Sequence, residues 1–175
     1  MAKLHKYLLV GTGLTVLALA LALTTPARVV AQIDVQSLPG DQTGAKQPFQ
    51  AMLGPMKLQP GETTQFFALN LPDVMTLTIE TITVNVTLPV KQIPFVTLST
   101  AAGGQEVIHR LAVKPVGTFV QSGARTTLFM ETYAVRLHAQ SNIPVEVTFS
   151  RLGPTTGFGN AVVTIAGYTG QPVGH

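Results

Sequence analysis

The chain contains no cysteine, so no disulfide, thiolate metal site or lipid-modified N-terminal cysteine is available to it. Tryptophan is also missing and aromatic residues amount to 6%, which removes the broad indole faces on which sugars commonly rest. Charged residues are scarce at 11% against 46% hydrophobic, the reverse of the composition that keeps a chain unfolded. A chain of 175 residues with that composition is expected to form one ordinary domain stabilised by burial alone.

Charge of one sign is not concentrated anywhere in the folded part. Three of the cations, Lys3, Lys6 and Arg28, lie within the first 31 residues, where there is no Asp or Glu. Setting them aside leaves eight of the eleven cations facing eight anions. Those eight, Lys46, Lys57, Lys91, Arg110, Lys114, Arg125, Arg136 and Arg151, are scattered singly rather than clustered as phosphate contacts require. Nucleic acid is therefore not expected as a partner.

What the N-terminus does have is the order of an export signal. Lys3, His5 and Lys6 precede a low-polarity run from Tyr7 to Leu23, and Thr24-Thr25-Pro26 would stop a helix there. Val29 and Ala31 offer small side chains at the −3 and −1 positions of a signal-peptidase site. A signal-peptide helix over 1–31, cut between Ala31 and Gln32, is the expectation; Thr25-Pro26-Ala27 is a second site. The alternative is an uncleaved anchor, since the apolar run sits at the lower edge of the roughly 17–25 residues that span a bilayer. Cleavage would leave the domain secreted, periplasmic or in the cell envelope, with membrane contact only through an uncleaved segment.

From Gln32 to Pro48 the apolar residues are interrupted by Gly, Pro, Gln and Asp, which predicts a flexible leader; 170–175 is expected to fray. Between them the period is two, with Thr, Val, Ile, Leu and Phe predominant. Strands are predicted at Phe49 to Met52, Thr63 to Leu69, Val74 to Leu88, Phe95 to Ser99 and Val107 to Val113. Further strands are predicted at Thr126 to Ala139 with a break, Val145 to Leu152 and Ala161 to Tyr168. Turn signals such as Gln59-Pro60-Gly61, Gly103-Gly104, Pro115-Val116-Gly117 and Ser122-Gly123 separate them. Seven or eight strands so spaced predict an all-β domain over 49–169, an antiparallel β-sandwich of jelly-roll type.

The longest predicted strand changes phase. Met75, Leu77 and Ile79 are odd, whereas Ile82, Val84, Val86 and Leu88 are even, so a β-bulge at Glu80-Thr81 would keep one face buried throughout. Leu128 to Leu137 echoes Leu77 to Val86 as L-x-[I/M]-E-T-x-x-V-x-[V/L]. If the two segments are equivalent, Glu80 and Glu131 occupy matching bulges; coincidence in a Thr/Val-rich chain explains the echo as well.

A run T-I-x-T-I-T-V-N-V-T-L-P, then P-F-V-T-L-S-T-x-x-G-G, Y-A-V-R-L-H-A, I-P-V-E-V-T-F-S-R and A-V-V-T-I-A-G-Y closes the chain between Thr63 and Tyr168. That succession resembles small exported bacterial β-sandwich proteins of uncharacterised role. The resemblance lies in strand texture; it implies a jelly-roll-like fold and export, and carries over no functional residue.

Chemistry is thinly signalled. No serine lies in G-x-S-x-G, and Ser122 and Ser141 fall in turns. His109 and His138 are isolated, without metal-ligand spacing, so neither metal nor cofactor is called for. Alternation puts His109 with Val107 and Leu111, an inward or edge imidazole, and His138 on a solvated face with Arg136 and Ala134, opposite Tyr133, Val135 and Leu137. Of the adjacent pair Phe66-Phe67 one ring must point outward. The candidate ligand-binding residues are Glu80, Glu131, Tyr133, Arg136 and His138. The function expected is a non-catalytic binding module for a cell-surface, glycan or protein partner. A structural subunit of an envelope layer or filament is the alternative, and a small hydrolase or lyase using Glu131, Arg136 or His138 the third.

Overall fold

A computed structural model describes residues 29–31, 46–72, 75–141 and 143–170. These residues form ten strands and no helix: β1 (Val29–Ala31), β2 (Gln47–Leu58), β3 (Thr64–Leu69), β4 (Thr76–Pro89), β5 (Ile93–Ala102), β6 (Gln105–Leu111), β7 (Lys114–Gln121), β8 (Ala124–Gln140), β9 (Val145–Leu152) and β10 (Gly159–Gly170). The all-β expectation holds. One sheet has the order β1-β3-β9-β5-β6 and the other β2-β10-β4-β8-β7. Every pairing is antiparallel except that of β1 with β3.

Alternation decides which side of each strand is covered. Leu53, Leu58, Leu77, Ile82, Val84 and Ile165 of the second sheet and Leu69, Leu98, Val147 and Phe149 of the first belong to one buried cluster. The face of each sheet that feeds it is called inner here. On β4 the inner residues are Leu77 and Ile79, then Ile82, Val84, Val86 and Leu88, with Glu80 and Thr81 both exposed. The bulge is present. Ile79 and Thr81 pair with the consecutive residues Gly167 and Ala166 of β10, so Glu80 is the extra residue on that side.

Four expectations are corrected. Glu131 occupies no bulge, because it pairs in regular register with Val84; the irregularity of β8 lies at Val135-Arg136, opposite Glu80. β8 has no break and runs continuously past that point. Pro115-Val116-Gly117 is not a turn but part of β7, an edge strand exposed on both faces, where proline and a register shift are tolerated. β2 begins at Gln47 within the expected leader and continues past Met52 to Leu58, an extension that Gly54-Pro55 masked; an extra residue there relative to β10 makes a second bulge. Val29–Ala31, expected to precede a cleavage site, pairs with Phe67–Leu69. The rest of the expected signal peptide, Gln32 to Ala45 of the leader and 171–175 lie outside the described residues.

Candidate functional site

The outer face of the second sheet is a Thr- and Asn-rich surface, and the β4 bulge interrupts it. Register places Pro48, Tyr168, Thr78 and His138 side by side across β2, β10, β4 and β8. The Thr78 hydroxyl is 3.3 Å from His138 Nδ1. Lys46 Nζ sits 4.2 Å from the centroid of the Tyr168 ring, within cation–π range. The Tyr168 phenol is held below its ordinary pKa by hydrogen bonding to Thr78 first, then to Lys46, with the charges of Lys46 and Arg136 adding to the effect. Two cations thus bear on Tyr168, and the His138 imidazole joins the row through Thr78.

The bulge shapes the surface beside this row. Ala166 and Gly167 have little or no side chain, so the sheet sinks there between Pro48 and Gln50 on one side and Glu80 and Thr81 on the other. The depression measures about 420 Å³ and is open to solvent. Glu80 is its acid, and the Lys46–Tyr168 pair overlies the strand that forms its floor.

Of the five candidate residues, the structure groups Glu80, Arg136 and His138 with this outer face and separates Glu131 and Tyr133 from it. Glu131 and Tyr133 pair with Val84 and Ile82, both fully buried, and therefore lean to the inner side of β8. There Lys114 Nζ meets Glu131 Oε2 at 2.9 Å, and the Tyr133 hydroxyl donates to the Ala112 carbonyl. Burial, then the charge of Glu131, raises the Tyr133 pKa, and the Glu131 carboxylate raises that of Lys114. This group clasps the short link between β6 and β7. The acid of the expected hydrolase set thus stands on the opposite face of β8 from His138 and Arg136.

No protein-family model and no curated protein matches the chain. His109 is half-buried, with Nε2 at 3.2 Å from the Thr100 hydroxyl, as expected for an inward imidazole. Phe67 is buried and Phe66 is half-exposed, where it lines a second depression of about 270 Å³ with Glu62 and Gln65. Among the described residues no group of three His, Asp or Glu is placed to hold a metal ion.

Sequence reasoning missed Lys46, Thr78 and Tyr168. Thr78 was legible as the outward residue between Leu77 and Ile79, but its partners come from strands 60 and 90 residues away. The opposite displacements of the two phenols are directly measurable. In a spectrophotometric titration Tyr168 is expected to ionise below, and Tyr133 above, an ordinary tyrosine. Lys46→Met should move the Tyr168 step upward and leave that of Tyr133 in place. If Tyr168→Phe removes the later step instead, the assignment is wrong.

Proposed function

We propose that the chain is an exported, non-catalytic β-sandwich module, jelly-roll-like in its layers, that binds a cell-surface, glycan or protein partner. Its contact surface is the outer face of the second sheet around the β4 bulge. The single buried cluster fed by both sheets supports the sandwich, and the N-terminal order of cations, apolar run and small residues supports export. The observation that carries the binding role is the row Tyr168, Thr78 and His138 with Lys46 and Arg136 about it. The exposed Lys46, Arg136 and His138, linked through the buried Thr78 hydroxyl and Tyr168, suit a polar, anionic partner such as a carboxylated or sulfated glycan. A hydrolase is the poorer reading, since Glu131 does not share a face with His138.

An array of acidic and neutral glycans, probed with the native chain, tests this. Binding should favour acidic members, and Lys46→Ala or Arg136→Ala should each weaken it about tenfold or more, the loss of one charge-assisted contact of about 1.5–3 kcal/mol. Capture that those variants leave unchanged, or no capture of any acidic member, would sink the proposal.

A further inference from the structure

The four edges of the two sheets are not alike. At one edge of the first sheet, β3 is covered by β1. In the second sheet β2 carries Pro48, Pro55 and a register shift, and β7 carries Lys114, Pro115 and another, all devices that discourage a further strand from pairing. β6 has none of these. Gln105–Leu111 contains no Pro, Gly or Lys, its seven residues pair with β5 without a shift, and no described strand lies beyond it. Ile108 on this strand is 65% exposed and Val107 40%.

The charges on β6 say what would fit there. Leu111 and Val107 pair with Val96 and Thr100, both buried, so 107, 109 and 111 face inward and Glu106, Ile108 and Arg110 face outward. Glu106 Oε1 accepts a hydrogen bond from Ser99 Oγ at 2.5 Å, and the Arg110 guanidinium lies 5.5 Å from the Phe95 ring centroid. In an antiparallel ladder, directly opposed residues turn their backbone groups the same way. Two copies of one strand can therefore align only about a single residue that faces itself. Centring on Val107 sets Glu106 against Ile108, and centring on His109 sets Ile108 against Arg110. Centring on Ile108 sets Glu106 of each copy against Arg110 of the other, with Ile108 against Ile108.

We propose that the free edge of β6 docks a second copy of this chain, antiparallel about a two-fold axis at Ile108, so that the two first sheets become one continuous sheet. The ion pairs fix the register, and the backbone ladder with the paired isoleucines supplies the contact. An interface of one strand per partner belongs to the weak, concentration-dependent class. The edge lies on the sheet that does not carry the proposed binding face, so either can fail without the other.

Sedimentation velocity of the purified chain at low salt, across about 5–500 µM, is the test. The expected result is a monomer–dimer equilibrium with a Kd on the order of tens of micromolar. Glu106→Arg and Arg110→Glu should each weaken it at least about fivefold by opposing like charges, and the double swap should restore it. Ile108→Lys, which sets a charge against itself on the axis, should abolish it. A monomer at every concentration, or a dimer indifferent to these changes, overturns the proposal. So does a double swap no better than the singles.

Discussion

Replacing Arg151 with alanine is expected to cost about 2–4 kcal/mol of folding free energy, since buried carbonyls that lose their donor cost about 1–3 kcal/mol each. Arg151 is 2% exposed, yet all five of its N–H groups have acceptors. Nε donates to the Glu62 carbonyl at 2.7 Å, Nη1 to the Gly157 carbonyl at 2.8 Å and Gln92 Oε1 at 3.4 Å, and Nη2 to the carbonyls of Gln59 at 2.6 Å and Thr155 at 3.0 Å. These acceptors come from the β2–β3 turn, the β4–β5 turn and the β9–β10 loop, which the guanidinium joins at one end of the domain. Burial pushes its pKa down and the charge of Glu62 opposes that shift, so it remains a cation. Alanine would leave a void and take the guanidinium from four loop carbonyls; those of Gln59 and Thr155 keep the backbone N–H groups of Glu62 and Gly61, at 3.0 and 2.9 Å, so the loss falls mainly on the carbonyls of Glu62 and Gly157. Lysine, with three donors on a flexible stem and no planar fork, should recover less than half of the loss. Urea unfolding followed by circular dichroism measures both. A loss under about 1 kcal/mol for the alanine variant would mean that water takes over the guanidinium's role.

Arg151 also shows where the sequence could be read and where it could not. Val145, Val147, Phe149 and Arg151 share one phase of β9, so alternation alone put the arginine inward. Reading it as one of several scattered cations overlooked that phase. The strands with a covered and an open face were legible because burial imposes period two, and the Glu80 bulge was legible because its phase change is written in the apolar residues themselves. β7 was not, since exposure on both faces leaves no alternation, and Pro115 and Gly117 look like a turn to any local rule. For the candidate site, His138 and Arg136 could be assigned to the solvated face of β8. Their company could not: Tyr168 and Lys46 reach them through the order β2-β10-β4-β8, and strand order does not follow from strand content. Glu131 and Tyr133 were grouped with side chains of the other face for a related reason. Their parity marked them as inward, but the echo of Glu80 in the sequence suggested an equivalence that the register with Val84 does not support.

The bulge that shapes the candidate site makes the second large demand on the sequence, at Gly167. This residue lies on β10 between Phe49 of β2 and Ile79 of β4, beside the extra residue Glu80. A Cβ placed there would stand 1.9 Å from the Thr78 carbonyl oxygen and 3.1 Å from the Glu80 backbone nitrogen. Both are backbone atoms of a central strand, so no rotamer change relieves the contact, and the bulge or the strand pairing must move. Gly167→Ala is therefore expected to destabilise by about 3 kcal/mol or more, at or beyond the upper end for overpacking. Gly159→Ala is the milder comparison: its Cβ would meet Leu88 Cδ2 at 2.7 Å and Leu58 at 3.4 Å, side chains of the buried core rather than fixed backbone, and about 1–2 kcal/mol should suffice. Thermal unfolding of the two variants beside the native chain gives the comparison. Because Gly167 is also the floor of the depression beside Glu80, a folded Gly167→Ala protein should lose acidic-glycan binding as well, whereas Gly159→Ala should keep it. Equal losses of stability in the two variants would show that β4 yields at the bulge as readily as a leucine side chain does. The bulge would then be a soft irregularity rather than a rigid wall of the site.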